Sequence, residues 1–148
     1  MTYNSGNVTA SILGDVIISS VYTLGTNILY LDETIREAPS STYSKLTSLT
    51  ITQMEPKKAT IRISFDLGNI GTSVSNCYGR IYKNGVALGT ERTHSVIGTY
   101  TTYSEDILFE EGDTIEFWSK DGGGTSEAAI KNIKILGDTI GANPIKVG

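Results

Sequence analysis

The side chains with the clearest capacity for binding chemistry are aromatic, since the sequence holds eight tyrosines and one tryptophan. In the run 114–119 (TIEFWS), successive residues of a β-strand would face opposite sides, so Ile115 and Phe117 are predicted to face a core and Trp118 to face outward. An outward tryptophan can cover a subunit interface, stack on a sugar ring or pack beneath a loop. The pattern leaves all three roles open.

Two tyrosines are further candidates for an interface or a glycan contact. Tyr100 and Tyr103 lie in the segment 99–109 (TYTTYSEDILF), which reads as one strand. Their odd spacing places them on opposite faces of that strand, so the two rings do not form one aromatic stripe.

Nucleophilic and zinc chemistry have little support. His94 is the only histidine and Cys77 the only cysteine, so neither an imidazole-rich zinc site nor a recognisable Ser-His-Asp arrangement can be assembled. We expect Cys77 to be a small buried residue of a strand, and His94 to be exposed near the turn at 95–98.

Carboxylates could in principle cleave a glycan, because glycosidases place two of them across one cleft. The adjacent pair Glu105-Asp106 cannot do so, since neighbouring strand residues face opposite sides, and the acids of 110–113 (EEGD) read as a solvated turn. The sequence therefore predicts no enzyme. The acidic turns 110–113 and 121–124 (DGGG) lack EF-hand spacing and leave calcium as a weak hypothesis only, so no cofactor or metal ion is predicted.

Length and charge narrow the class further. The 148 residues suffice for one domain with its own core, and a net charge of −4 with scattered basic residues argues against nucleic-acid binding. No apolar stretch approaches the roughly 20 residues that cross a bilayer, so no membrane partner is expected. The first residues, MTYNSGNVTASILGD, contain no secretion signal pattern, and we expect synthesis in the cytoplasm.

The elements that must position these side chains are predicted to be strands. Period-2 runs bounded by Gly, Pro, Asn and Asp recur along the chain, most clearly at 59–67 (ATIRISFDL). About eight strands are expected, which predicts an all-β antiparallel β-sandwich of jelly-roll type. Asn84-Gly85 predicts a two-residue type I′ hairpin, whose first role is to set strand register and whose exposed tip is a second candidate contact.

The two ends are predicted to be arms flanking this domain. Residues 1–14 and 137–148 are rich in Gly, Asn or Pro with isolated apolar residues, whereas residues 15–136 form the jelly-roll domain. The arms either fray or order against a neighbouring subunit. In the second case Ile140 and Ile145 would be interface residues.

The second half of the chain resembles a family. It is similar to a small β-sandwich domain of bacteriophage and other viral structural proteins over the runs 78–87 (YGRIYKNGVA), 89–92 (GTER), 100–107 (YTTYSEDI), 112–115 (GDTI) and 129–135 (AIKNIKI). The resemblance implies a non-enzymatic virion component, a head decoration or tail protein. It also implies self-association, with a trimer as the expected state, and binding to a capsid or tail surface. Localisation in the virion follows from it as an expectation.

A second interpretation stays open beside this one. Trp118 and nearby polar residues on an exposed sheet face would equally suit a carbohydrate-binding β-sandwich module, with a glycan as partner. Solution mass distinguishes the two, because the virion component is expected to be a stable oligomer.

Overall fold

The computed structural model describes residues 21–148, and the predicted arm 1–14 lies outside them. Within the described range the chain forms strands and no helix, and accordingly none of these residues lies in a helix long and apolar enough to cross a membrane. The strands are β1 (Val21–Asp32), β2 (Arg36–Glu37), β3 (Ser44–Met54), β4 (Lys58–Asn69), β5 (Cys77–Lys83), β6 (Val86–Ala87), β7 (Arg92–His94), β8 (Thr99–Glu110), β9 (Thr114–Lys120), β10 (Ala128–Ile140) and β11 (Ile145–Val147).

These strands form two antiparallel sheets that pack as a sandwich. Sheet I has the order β8-β4-β10-β1, with β2 paired to β10, and sheet II has the order β11-β3-β9-β5-β6, with β7 paired to β5. The prediction of an all-β antiparallel sandwich is confirmed. Four of the strands have only two or three residues, which is why periodicity indicated fewer strands than the structure contains.

The core lies between the sheets and follows the period-2 pattern. Ile61, Ile63, Phe65 and Leu67 of β4 are fully buried. They meet the buried residues of β9 from the other sheet, and Phe65 contacts Phe117 edge-on with ring centroids 5.8 Å apart. This apolar burial is the main source of the stability of the fold.

The Asn84-Gly85 turn joins β5 to β6 as predicted. Both residues have positive φ, 51° and 81°, which is the backbone of a type I′ hairpin and explains why Asn and Gly stand there. The second arm of the hairpin is short, because only Val86 and Ala87 pair with β5 there. The chain then leaves the sheet and returns as β7, which also pairs with β5.

The C-terminal segment differs from the prediction. Residues 137–148 were expected to form an arm, yet β10 continues through Ile140 in sheet I and β11 pairs with β3 in sheet II. Ile145 is 4% exposed and belongs to the core, whereas it was expected to be an interface residue. The reason is that Asn143 accepts the Ile145 N–H at 3.0 Å and turns the chain back onto the sandwich. The backbone of Ile140 pairs with Val21, and an interface role for its side chain stays a prediction.

Candidate functional site

The outer side of sheet II carries the side chains that strand alternation turns away from the core. In β5, Cys77, Gly79 and Ile81 are buried, whereas Tyr78 and Tyr82 are half-buried on the outer side. Gly79 packs closely against the core, because an added Cβ would lie 3.2 Å from Leu67 and Phe65 side-chain atoms and would require them to shift. The alternation of β5 therefore places Tyr78, Arg80 and Tyr82 in one outward row.

Trp118 of the neighbouring strand β9 joins this row. Its ring stacks on Tyr82, with centroids 4.4 Å apart and the planes 14° from parallel, and Tyr43 packs against Tyr82 at a centroid distance of 6.3 Å. Both rings of the stacked pair are only half-buried. We call the surface made by Tyr43, Tyr78, Tyr82 and Trp118 the aromatic face.

The orientation of Trp118 is set by a buried carboxylate. The Trp118 indole Nε1 donates a hydrogen bond to Glu116 Oε2 at 2.8 Å, and the Gly85 N–H donates to Glu116 Oε1 at 2.6 Å. Lys45 Nζ lies 3.8 Å from the same carboxylate. Glu116 thereby connects the hairpin tip to the aromatic face, and it holds the indole in one position.

The surroundings of Glu116 favour its ionised form. Burial alone would raise the pKa of this carboxyl, since Glu116 is 4% exposed. The hydrogen bonds from Trp118 and Gly85, together with Lys45 and Thr114, outweigh burial and hold the pKa of Glu116 below its ordinary value. The indole is thus anchored by a carboxylate that stays charged at neutral pH.

A polar depression borders the aromatic face. It has a volume of about 380 Å³ and is lined by Ser41, Ser75, Asn76, Tyr78, Lys120, Asp121, Gly122 and Gly123. Lys120 belongs to both features, because its ammonium lies 4.6 Å from the Tyr78 ring centroid and 4.9 Å from that of Tyr43. Tyr43 in turn donates a hydrogen bond to Glu91 Oε2 at 2.9 Å. Burial is the larger cause and the Glu91 carboxylate the smaller cause that raise the pKa of the Tyr43 hydroxyl. An aromatic surface next to hydroxyl, amide and charged groups is the usual composition of a small-ligand site.

A bulge shapes this surface. The pairing of β9 with β3 slips by one residue between Phe117, opposite Thr47, and Trp118, opposite Lys45. Bulges change the direction of nearby side chains and recur beside binding sites. Here the slip lies directly opposite the tryptophan.

The structure separates the other predicted residues from the aromatic face. Tyr100 lies on the outer side of sheet I with Lys131 over its ring at 4.0 Å, whereas Tyr103 points inward and packs on Phe65. The prediction that these two tyrosines face opposite sides is therefore consistent with the structure. Asn84 and Gly85 contact the strand of Trp118 from the hairpin tip: the Gly85 N–H donates to Glu116, and Asn84 Oδ1 accepts the Thr114 N–H at 2.8 Å.

Sequence reasoning missed four residues of the site: Tyr43, Tyr78, Tyr82 and Lys120. The alternation of 78–82 (YGRIY) carried a signal for two of them, since Gly79 and Ile81 mark the inward side. The pairing of β5 with β9, 38 residues apart at Trp118 and Arg80, has no local signature. Tyr43 precedes its strand and had no periodicity to indicate its direction.

Residues considered for catalysis are held in structural contacts. Glu105 accepts a hydrogen bond from Arg92 at 2.9 Å, and Asp106 forms a two-pronged pair with Arg62 at 2.8 Å. Among residues 21–148, no three His, Cys, Asp or Glu side chains come together as a potential metal site. Cys77 is buried, as predicted, and burial raises the pKa of its thiol.

His94 corrects an expectation. It was predicted to be exposed, yet it is buried, with only 9% of its surface accessible to solvent. Its Nε2 lies 2.9 Å from the Thr99 hydroxyl, and its Nδ1 lies 3.1 Å from that of Thr101. The reason is that β7 pairs with β5 and turns the ring toward the start of β8. There the ring nitrogens contact the two threonine hydroxyls and the Val96 carbonyl oxygen.

Comparison with known proteins gives a loose likeness of fold. No protein-family profile matches the sequence, and no curated protein matches it. Similar solved structures include the C-terminal domain of EclA, described as a sugar-binding protein, with a TM-score of 0.42 and 13% identity over 85% of this chain and 83% of that one. A family 35 carbohydrate-binding module from an environmental isolate gives a TM-score of 0.44 and 14% identity over 88% and 98%.

A third solved structure, the family 35 module of Cellvibrio japonicus Abf62, has a TM-score of 0.38 and 12% identity over 88% of this chain and 96% of that one. Scores this low carry no conclusion about this chain, and the ligands of those proteins are not carried over to it. Of the family resemblance, the structure supports the small β-sandwich domain. The virion location, the trimer and the capsid or tail partner stay predictions.

Proposed function

We propose that this chain is a carbohydrate-binding module that holds a glycan on the aromatic face without cleaving it. The observation that carries the proposal is the stacked pair of Tyr82 and Trp118 on the outer side of sheet II. Pyranose rings present flat C–H faces that pack on aromatic rings, and their hydroxyl groups need polar partners at the rim. The depression beside Tyr78 offers such partners in Ser41, Ser75 and Asn76.

The contrast with the outer side of sheet I supports a role for the aromatic face. On sheet I the outward side chains near the middle of β4 and β8 are ionic, with Arg62 paired to Asp106 and Asp66 bonded to Thr102 and Asn132. Such a surface is satisfied within the chain. The outer side of sheet II instead presents four half-buried aromatic rings that can contact a ligand.

Replacing Trp118 by alanine is expected to reduce glycan binding about five- to thirtyfold, because the loss of one well-placed stacking ring removes on the order of 1–2 kcal/mol. The measurement is binding of the labelled chain to an array of immobilised glycans, followed by titration of the bound glycans. The matched control is Tyr100→Ala, which removes an outward ring from sheet I.

The control variant is expected to bind as the unchanged chain does. If Trp118→Ala retains full binding while its melting curve stays cooperative, the aromatic face is not the site. If no glycan on a broad array binds the unchanged chain, the proposed function itself fails.

We propose as a second candidate a particle component that associates with copies of itself. Apolar side chains on and just after β1, which is the last strand of sheet I among residues 21–148, favour it, because Leu24, Ile28, Leu31 and Ile35 are 44%, 55%, 40% and 54% exposed. A trimer that binds a capsid or tail surface is the form expected from the family resemblance.

Light scattering across a tenfold concentration range tests this second candidate. We expect a constant trimeric mass, and Ile28→Ser is expected to lower it. Ile51→Val, a change inside the core, serves as the control for stability alone. A monomeric mass at every concentration would remove the candidate and leave glycan binding untouched.

A further inference from the structure

The cations of this chain are unevenly paired. All twelve Lys and Arg residues lie within 21–148, and seven of them have a carboxylate oxygen within 4.0 Å; these are Arg36, Lys45, Lys57, Lys58, Arg62, Lys83 and Arg92. Five have no such partner among the described residues, although the chain carries 16 acidic residues; these are Arg80, Lys120, Lys131, Lys134 and Lys146. Arg80 and Lys120 lie together at the aromatic face, where their positive charge can attract an anionic ligand.

Arg80 and Lys120 are neighbours across two strands. Arg80 is opposite Trp118, and Lys120 is opposite Tyr78, in the pairing of β9 with β5. They are therefore diagonal on the outer side, where side chains of neighbouring strands reach a common point. Trp118 and Tyr78 occupy the other two corners of the same four-residue group.

The two cations are held without being neutralised. The Lys120 ammonium lies between the rings of Tyr43 and Tyr78, at 4.9 Å and 4.6 Å from their centroids, and this contact orients the charge but does not cancel it. Arg80 uses its Nε to donate to the Gly89 carbonyl at 2.6 Å. The terminal Nη atoms of Arg80 have no hydrogen-bond partner among residues 21–148, so the planar fork that suits a carboxylate or sulfate remains available.

The acidic groups around this face are already engaged. Glu91 accepts the Tyr43 hydroxyl at 2.9 Å, and Asp121 accepts the Ala128 N–H at 2.7 Å. Glu116 accepts the Trp118 indole and the Gly85 N–H beneath the surface. Asp121 lines the depression beside Lys120, yet neither Lys120 nor Arg80 has a carboxylate oxygen within 4.0 Å among residues 21–148.

We infer that the ligand of the aromatic face is an acidic glycan, whose negatively charged substituent binds Arg80 and Lys120 while its sugar ring stacks beside Trp118. This inference rests on the proposed carbohydrate-binding function. The charged substituent is a carboxylate, as in a uronic acid, or a sulfate ester, because both present the oxygens that a guanidinium and an ammonium recognise.

The test compares three oligosaccharides of equal length by calorimetric titration: oligogalactose, its uronic-acid counterpart and its sulfated form. The unchanged chain is expected to bind one or both acidic forms at least about tenfold more tightly than the neutral form, and to lose this preference in 0.5 M salt. Preference for the uronic acid identifies a carboxylate ligand, and preference for the sulfated form identifies a sulfate ligand.

Variants locate the effect. Arg80→Gln and Lys120→Gln are expected to weaken binding of the acidic form at least about fivefold while changing neutral binding less than about twofold, since a charge-assisted contact is lost and the rings remain. Lys131→Gln is the matched control, because Lys131 also lies over a tyrosine ring, that of Tyr100 at 4.0 Å, but on sheet I. Lys120→Arg keeps the positive charge and is expected to retain most of the preference for the acidic over the neutral form.

The outcomes separate the two proposals. Equal binding of the neutral and acidic forms, or an acidic preference that survives both variants, overturns the inference and leaves the carbohydrate-binding function standing. Absence of binding to every neutral and acidic sugar overturns the proposed function and this inference with it.

Discussion

Truncation of Phe117 to alanine is expected to lower the free energy of unfolding by about 3–5 kcal/mol. Phe117 is fully buried between the sheets and contacts Phe65 edge-on at 5.8 Å, so its removal leaves a cavity in the centre of the core. Denaturant unfolding, followed by circular dichroism, measures the loss. If Phe117→Ala does not fold, Phe117→Leu supplies a smaller change of the same sign, about 1–2 kcal/mol.

The adjacent residue provides the control. Trp118→Ala removes a larger ring from the same strand, yet it is expected to cost only about 1–2 kcal/mol, because Trp118 lies on the outer side and loses its stack on Tyr82 and its hydrogen bond to Glu116. The difference between the stability losses of Phe117→Ala and Trp118→Ala follows from strand alternation in β9, which buries Phe117 and turns Trp118 outward. Equal losses at the two positions would contradict the placement of an outward tryptophan.

Replacement of Glu116 by alanine is expected to destabilise the protein by about 2–4 kcal/mol. The change leaves the Trp118 indole N–H and the Gly85 N–H without their acceptor and Lys45 without its partner. It also releases the indole from its fixed position. We expect a lower unfolding midpoint in denaturant and a shifted emission of the single tryptophan.

Glu110→Ala is the matched control for this variant. Glu110 pairs with Lys58 at 3.3 Å at the surface, where both side chains are more than half exposed, and such pairs contribute little. Its removal is expected to change stability by less than about 0.5 kcal/mol. A loss at Glu110 as large as that at Glu116 would show that the buried network around Trp118 has no special weight.

The same carboxylate predicts a pH dependence. Burial opposes ionisation of Glu116, but the Trp118 and Gly85 hydrogen bonds hold its pKa in the folded chain below the ordinary 4.5. Its stabilisation is therefore fully present above about pH 4.5 and is lost as pH falls through the lower folded value. Glu116→Gln keeps the shape of the side chain. In this variant the melting temperature is expected to fall less steeply with pH below pH 4.5. An unchanged acid slope would remove Glu116 from this role.

Local pattern predicted those features that a single strand or turn decides. The run 59–67 alternates cleanly, and the structure places a strand at Lys58–Asn69 with the expected residues buried. Asn84-Gly85 indicated a type I′ turn because few other residues accept two positive φ values, and both are found. The outward position of Trp118 followed from the buried Ile115 and Phe117 on the same strand.

Features that depend on distant pairing were not accessible in this way. The aromatic face exists because β9 lies beside β5 and because Tyr43 reaches Tyr82 from outside a strand, and no local period encodes either contact. The C-terminal segment was misread because its Gly and Pro residues resemble those of a loose arm. Ile145 nevertheless reaches the core, since a short strand of three residues suffices to dock it.

The most direct test of the glycan-binding face is the fluorescence of Trp118, the only tryptophan in the chain. Glycans that bind on an array are titrated into the protein while tryptophan emission and its quenching by acrylamide are recorded. If a sugar ring stacks beside Trp118, emission shifts with a saturating curve, the midpoint equals the calorimetric Kd, and acrylamide quenching falls. A glycan that binds with the emission and quenching of Trp118 unchanged would place the site elsewhere and contradict the account.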